Sequence, residues 1–186
     1  MTDASNRMVE VRLGDCDKPR EEQVLPLVIV LDMLRSAHNT GNIFRLADAV
    51  RAREIIACGY TPCPPHPKLA KTAMGCDVTV PCRHFDRITD ALAELRAAGY
   101  TIYGVDTVVG AQCYWEAPLK FPAALVLGNE SLGISAEALA MCDSFIQLPA
   151  AGLKNSINVG NCAAVVLFEA LRQFRQASAA NHFSFA

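Results

Sequence analysis

The stretch LVLGNESLGI, residues 125–134, joins a short apolar run to a turn of glycine and polar residues. Its first part is typical of a strand that is buried on both faces, as strands of parallel sheets are. In an open α/β sheet, ligands bind beyond the carboxyl ends of the strands, where loops meet helices. We therefore interpret the turn that begins at Gly128 as the floor of a ligand site.

A longer apolar run, LPLVIVL at residues 25–31, predicts the first strand of the fold. Further strands are expected at residues 54–58, 78–80, 101–105, 123–127 and 145–148. Helices are expected from Asn39 or Thr40 to about residue 52, from Asp86 to about 98, from Ser135 to 141 and from Ser156 to about 175. Strands that alternate with helices predict an α/β domain with a mainly parallel sheet and helices on both faces. The proline-rich residues 61–67 suit a surface loop, because proline lacks the N–H that either element needs.

A chain of 186 residues suits one domain. We assign residues 24–176 to that domain, residues 1–23 to a flexible N-terminal extension and residues 177–186 to a C-terminal tail. The net charge of −2 gives no global basic signature and counts against strong nonspecific binding to nucleic acid.

No apolar run approaches the roughly 18 residues that a membrane span needs, and the first 20 residues are polar. We therefore expect a cytoplasmic protein that does not contact membranes. The eight cysteines include no C-x2-C pair and no histidine cluster accompanies them. We expect most of them to be buried thiols and expect no metal site.

Two other segments combine glycine with amide, hydroxyl or guanidinium side chains: NTGNIFRLA at residues 39–47 and LPAAGLKNSINV at residues 148–159. Arg45 follows Gly41 by one helical turn, so its guanidinium should point toward whatever the loops bind; an ion pair with Glu130 or Asp48 is the alternative. The loop that starts at Gly152 offers backbone amides to a flat heterocycle, or serves only to cap a helix at Ser156.

The ligand is not expected to be a nucleoside triphosphate. Ile134 stands where a phosphate-binding loop requires lysine, and Glu130 adds a negative charge. The G-x-G-x-x-G fingerprint of dinucleotide sites is missing as well. A ligand without a triphosphate fits this turn better.

Taken in chain order, the three segments resemble the three motifs of the SpoU (TrmH) family of RNA 2′-O-ribose methyltransferases, within the SPOUT superfamily. The resemblance extends from about Leu25 to Gln173. The matching residues are Asn39, Gly41, Arg45 and Ala47 in the first motif, Gly128, Glu130, Gly133 and Ile134 in the second, and Pro149, Gly152, Ser156, Asn158 and Val159 in the third.

The resemblance implies a single-domain SPOUT (α/β-knot) fold with a deep trefoil knot near the carboxyl end. It implies a homodimer that uses S-adenosyl-L-methionine, requires no metal and acts on RNA, either tRNA or rRNA. The residues it places around the cofactor are Val105, Thr107, Leu127, Gly128, Leu148, Ser156 and Ile157.

The resemblance also places Arg45 near the RNA ribose. Since arginine has a pKa above about 12 and is a poor base, we expect Arg45 to stabilise the developing alkoxide and the adjacent phosphate. The other residues of the expected catalytic set arrange the site around it: Asn39, Glu130, Ser156 and Asn158.

The chain departs from the family pattern in two respects. Where many relatives carry a serine-rich run, it has Gly160, Asn161 and Cys162, which is expected to affect the last helix or a dimer contact. It also shows no preceding RNA-binding domain, so substrate choice is expected to depend on the catalytic domain, the dimer surface or the termini. Two alternatives stay open at this point: a noncatalytic RNA-binding or assembly protein with the same fold, and a small-molecule-binding α/β domain unrelated to RNA.

Overall fold

The computed structural model describes residues 23–183, with side chains up to residue 179. A seven-stranded sheet forms its centre, with the strand order β3-β2-β1-β6-β4-β7-β5. The strands are β1 (Leu25–Asp32), β2 (Ala52–Cys58), β3 (Cys82–Phe85), β4 (Thr101–Val105), β5 (Gln112–Cys113), β6 (Ala123–Leu127) and β7 (Ser144–Gln147). Each neighbouring pair in the sheet is parallel, which confirms the predicted fold class.

Helices cover both faces of the sheet, as predicted. They are α1 (Ala37–Val50), α2 (Pro67–Ala73), α3 (Cys76–Thr79), α4 (Ile88–Ala97), α5 (Ala136–Leu139) and α6 (Val159–Phe183). Alternate residues of β1 enter two cores: Ile29 packs with residues of α1 and α6, whereas Val30 packs with residues of α4 and α5. Burial on both faces explains why this strand is a continuous apolar run.

The register of the three central strands determines where the candidate site lies. Leu31 of β1 pairs with Leu127 of β6, and Val105 of β4 pairs with the same residue from the other side. Because these strands are parallel and end at the same level, the segments that follow them meet at one edge of the sheet.

The first helix starts earlier than predicted. Ser36 is the N-cap of α1, and its hydroxyl accepts a hydrogen bond from the backbone N–H of Asn39, so the predicted cap at Asn39 or Thr40 is wrong. The helix ends at Val50, where Arg51 adopts a left-handed conformation (φ 53°) and lets the chain turn into β2.

The predicted strand at residues 78–80 is also wrong. Its β-branched residues fall in and after the short helix α3, where Val78 is exposed and the N–H of Val80 bonds to the carbonyl of Cys76. The strand that pairs with β2 follows at β3, where Cys82 aligns with Ile55. The β-propensity of residues 78–80 therefore predicted a strand a few residues before β3, the strand that joins the sheet.

Other predicted helix ends need correction. Arg87, not Asp86, is the N-cap of α4, and α5 follows Ser135 as predicted but ends at Leu139. The last helix begins at Val159 instead of Ser156, because the Asn158 side chain accepts hydrogen bonds from the N–H groups of the first turn. It continues to Phe183, so it includes much of the predicted tail.

The expectation of mostly buried cysteines is wrong for the described residues. Cys58 is buried, whereas the remaining described thiols are partly exposed: Cys63, Cys76, Cys82, Cys113, Cys142 and Cys162. Cys16 and most of the predicted N-terminal extension lie outside the described residues, as do the last three residues of the predicted tail.

Candidate functional site

The three sequence segments meet around the side chain of Asn39, which bonds to the carboxylate of Glu130. This carboxylate accepts hydrogen bonds from the backbone N–H groups of Arg35 (3.0 Å) and Ser36 (3.1 Å) and from Nδ2 of Asn39 (3.0 Å). Oδ1 of Asn39 in turn accepts a hydrogen bond from Nδ2 of Asn158 at 3.2 Å. One residue of each motif thus belongs to the hydrogen-bonded series Glu130–Asn39–Asn158.

The start of α1 makes the Glu130 position suitable for an anion. Burial alone would raise the pKa of the Glu130 carboxyl, but the N–H donors of Arg35, Asn39 and Ser36 outweigh burial and lower that pKa. Arg35 and Ser36 donate backbone N–H groups just before and at the N-cap of α1, and Asn39 donates its side-chain amide. Glu130 is therefore held as a carboxylate in a fixed orientation.

Arg45 lies on the exposed face of α1. Within the described residues it forms neither of the two ion pairs considered above, since Glu130 is bound by α1 and Oδ1 of Asp48 accepts a hydrogen bond from Thr79 at 3.0 Å. Its guanidinium is thus available to a ligand phosphate or alkoxide.

Asn129 organises the turn between β6 and α5, a role that the sequence analysis did not assign. Its Oδ1 accepts hydrogen bonds from the N–H groups of Ser131 (2.9 Å) and Leu132 (3.1 Å). Its Nδ2 donates to the carbonyl of Met33 (2.6 Å) and to the hydroxyl of Tyr60 (2.9 Å). Asn129 is only 7% exposed. Its hydrogen bonds to Met33 and Tyr60 connect the turn to the segments that follow β1 and β2.

Gly128 permits this turn to fold back on itself. A Cβ at this position would lie 2.2 Å from the carbonyl carbon of Gly133 and 2.3 Å from the backbone nitrogen of Ile134. Only glycine fits without a backbone shift. The requirement for glycine at position 128 of the second motif is therefore explained by packing within the protein.

Two aspartates that the sequence analysis did not single out hold the same turn. Asp106, directly after β4, accepts hydrogen bonds from the N–H groups of Thr107 (2.7 Å) and Ile134 (2.9 Å). Asp32, the last residue of β1, is 1% exposed and accepts one from the N–H of Ser135 at 2.7 Å. A carboxylate at the end of a predicted strand was the signal that could have identified both residues.

The residues expected at the cofactor lie at this edge but differ in exposure. Val105 and Leu127 are buried strand ends, and Gly128 and Leu148 are partly exposed. Thr107 is exposed, and its hydroxyl donates to the carbonyl of Asn155 at 3.3 Å. This contact brings the loop of the third motif across the end of β4.

The loop at residues 149–158 is exposed along its whole length. Within the described part of the chain, no backbone N–H from residue 150 to 157 donates a hydrogen bond, and the Ser156 side chain forms none. The Ile157 side chain is 51% exposed. The loop therefore offers its backbone N–H groups to a ligand beside the ends of β4 and β7.

The third-motif departure at Gly160 has a packing consequence. Gly160 is buried, and a Cβ there would lie 2.8 Å from Nδ2 of Asn42 on α1. That atom ends a flexible side chain, so a larger residue at this position would displace the Asn42 side chain where α6 begins beside α1. The predicted effect of this departure on the last helix therefore concerns its contact with α1.

Among the described residues, no group of three or more histidine, cysteine or acidic side chains is placed to hold a metal ion. Likewise, no helix in this part of the chain has the length and apolar character that crossing a bilayer takes.

Comparison with known proteins gives concordant matches. The model of the SpoU rRNA Methylase family matches residues 26–168. The 23S rRNA (guanosine-2'-O-)-methyltransferase RlmB of Ralstonia nicotianae is 35% identical over 148 residues, which are 80% of this chain and 59% of that protein. The tRNA (guanosine(18)-2'-O)-methyltransferase of Thermus thermophilus is 34% identical over 147 residues, 79% of this chain and 75% of that protein.

A solved structure gives the same match at the level of the fold. The SpoU methyltransferase AviRb from Streptomyces viridochromogenes, in complex with the cofactor AdoMet, has a TM-score of 0.73 and 29% identity to this chain. The similarity covers 85% of this chain and 63% of AviRb. The chain thus spans less than two thirds of the length of both RlmB and AviRb.

Proposed function

This chain belongs to the SpoU rRNA Methylase family, and we propose that it transfers a methyl group from S-adenosyl-L-methionine to a ribose 2′-hydroxyl of tRNA or rRNA. The observation that carries the proposal is the series Glu130–Asn39–Asn158, which joins one polar residue of each motif at the carboxyl edge of the sheet. The relatives named above are ribose methyltransferases of rRNA and tRNA, which supports RNA as the substrate class.

The residues present fit the cofactor. An adenine ring needs donors and acceptors in a flat apolar slot, and the loop at residues 150–157 offers unpaired N–H groups beside the apolar strand ends Val105 and Leu127. Leu148, Gly128 and Thr107 complete this edge, with Ser156 and Ile157 in the loop itself. When bound, S-adenosyl-L-methionine supplies an electrophilic methyl group on a sulfonium.

In this proposal Arg45 is the central catalytic residue. Its guanidinium is exposed and has no carboxylate partner within the described residues, so it can bind the RNA phosphate and stabilise negative charge on the ribose oxygen. The proton of the ribose 2′-hydroxyl is transferred to a phosphate or to water, because a guanidinium that is always protonated is a poor base. Asn39, Glu130, Ser156 and Asn158 position the ribose and the loop, which contributes through orientation.

The proposal includes a homodimer. Three apolar side chains in the third motif and in the helix that follows it are at least 50% exposed: Leu153 and Ile157 in the loop and Phe168 on α6. Burying such side chains favours association. The trefoil knot implied by the family stays a prediction.

The test is methyl transfer from labelled S-adenosyl-L-methionine to separate tRNA and rRNA pools that lack native modification. We expect label in one pool, its loss in Arg45→Ala, and its retention in Arg53→Ala, since Arg53 is an exposed arginine at the opposite, amino-terminal end of β2. Absence of label in both pools, despite tight cofactor binding, would favour the noncatalytic RNA-binding alternative. Full activity of Arg45→Ala would refute the role given to Arg45.

A further inference from the structure

Tyr60 is an exposed aromatic residue attached to the candidate site. It lies in the turn after β2, and its side chain is 55% exposed. Its hydroxyl accepts a hydrogen bond from Nδ2 of Asn129 at 2.9 Å. Single exposed apolar residues are common on protein surfaces, so the distinguishing feature of Tyr60 is this link to the turn that carries Glu130.

The backbone on both sides of Tyr60 is held in place. Gly59 has a φ of 61°, which suits glycine, and its N–H donates to the carbonyl of Phe85 at 2.9 Å. Thr61 is buried; its hydroxyl lies 2.8 Å from the carbonyl oxygen of Cys58 and accepts the N–H of Leu34 at 3.0 Å. The ring is therefore presented in a preorganised position, which reduces the entropy lost on binding.

Arg35 places a cation beside the same turn. Its backbone N–H donates to Glu130, and Nη2 of its guanidinium donates to the hydroxyl of Ser131 at 2.7 Å. The residue is exposed, and within the described side chains it forms no ion pair. A guanidinium has five N–H donors, so most of those of Arg35 are available to a phosphate.

We propose that Tyr60 and Arg35 form an RNA contact surface next to the methylation site: Tyr60 stacks on an unpaired base and Arg35 binds the phosphate beside it. This inference rests on the proposed function. Both residues are attached through Asn129, Ser131 and Glu130 to one turn, so the base they hold belongs to a nucleotide close to the methylated ribose.

The chemistry favours a single-stranded or looped RNA segment. Bases in a duplex are already stacked on each other, whereas unpaired bases stack on aromatic side chains and arginine planes. With a net charge of −2 the chain has no general attraction for RNA, so local contacts such as these must provide affinity. The alternative is that a second copy of this chain covers Tyr60, and a measurement of the oligomeric state distinguishes this contact from an RNA contact.

The experiment compares Tyr60→Leu, Tyr60→Phe and the control Trp115→Leu in steady-state methylation of the RNA pool that the wild type labels. Trp115 is similarly exposed, at 52%, but it follows β5 at the far side of the sheet. From the usual value of about 1–3 kcal/mol per stacked base, we expect Tyr60→Leu to raise the KM for RNA roughly 5- to 150-fold. Tyr60→Phe loses the bond to Asn129 but keeps the ring and the anchored backbone on both sides, so it should retain most of the affinity. Trp115→Leu should match the wild type.

A second comparison tests the phosphate contact. Arg35→Gln should weaken RNA binding and reduce the slope of log affinity against log salt by about 1. Arg53→Gln removes the same charge at the opposite edge and should leave that slope unchanged. The dissociation constant for S-adenosyl-L-methionine should stay at the wild-type value in all five variants, which separates loss of an RNA contact from loss of folding.

The inference is overturned if Tyr60→Leu keeps the wild-type KM for RNA while the wild type is active, and in that case the proposed function stands. It is also overturned if Tyr60→Leu changes the oligomeric state in light scattering, since the ring then belongs to a protein interface. Absence of methyl transfer by the wild type is a failure of the proposed function instead. In that event binding of labelled RNA, measured by fluorescence anisotropy with the same variants, still tests the contact.

Discussion

Nδ2 of Asn158 donates a hydrogen bond to Oδ1 of Asn39 at 3.2 Å, across 119 residues of the chain. The same Asn39 side chain donates to Glu130, so its two polar atoms serve two different motifs. Asn158 also caps α6 through its Oδ1. The start of one helix, the start of another and the turn after β6 are thereby held in one mutual orientation.

Asn39→Ala should lower kcat by roughly 100-fold, because small displacements of positioning groups have effects of that order. The variant removes both contacts of the Asn39 side chain, while α1 keeps its cap at Ser36. The measurement is single-turnover methyl transfer with saturating RNA and cofactor. Asn161→Ala is the matched control, since Asn161 contacts Asn158 only through its backbone N–H; equal rates for the two variants would contradict the positioning role.

Glu130 should make folding stability depend on pH in the acid range. Its pKa is lowered from the ordinary value of 4.5 in the folded protein, so its contribution to stability is present above that value and is lost as pH falls through the folded pKa. Urea unfolding of the wild type and Glu130→Gln between pH 7 and pH 3 measures this. We expect the wild type to be the more stable protein near neutrality and the difference to shrink below about pH 4.5; a difference independent of pH would argue against this role of the carboxylate.

Asp106→Ala should weaken binding of S-adenosyl-L-methionine. The carboxylate of Asp106 orients the N–H groups of Thr107 and Ile134, and hydrogen bonds to charged groups contribute about 1.5–3 kcal/mol each. If about one such contribution is transmitted to the site, the dissociation constant from isothermal titration calorimetry rises roughly 10- to 150-fold.

Asp143→Ala is the control for this prediction. Oδ2 of Asp143 accepts a hydrogen bond from the N–H of Ile102 at 2.8 Å, at the opposite end of the strand that precedes Asp106. This variant should lose stability without a change in cofactor affinity. Parallel losses of affinity in both variants would show that Asp106 acts only through general stability.

Gly128→Ala should be strongly destabilising. The added Cβ meets the backbone of Gly133 at 2.2 Å, and overpacking of this kind costs about 1–3 kcal/mol or more. For a domain of this size we expect Tm to fall by about 2–4 °C for each kcal/mol, as measured by calorimetry. Gly152→Ala, where a Cβ meets nothing within 4 Å, should keep the wild-type Tm; a similar drop in both variants would exclude the steric explanation.

Part of the fold could be predicted because it depends on local pattern. The run that became β1 is apolar at every position because both faces of the strand are buried, and the strands β4 and β6 were recognised for the same reason. The strand β3 was missed because it is an edge strand and is partly or fully exposed at every position, so it carries no such pattern. Caps were also misjudged, since Asn39, Asp86 and Ser156 are all suitable cap residues and only the course of the chain decides which position is used.

The sequence by itself determined the α/β class, the central strands and, through three ordered motifs, the family resemblance that the comparisons confirmed. Only the tertiary structure decided that Asn129, Asp106 and Asp32 hold the site turn, and that Tyr60 and Arg35 lie beside it. The physical reason is the range of the interactions. Burial and periodicity act on neighbouring residues and leave a readable pattern, whereas these side chains bond to backbone and side-chain groups that come near them only after distant strands have paired.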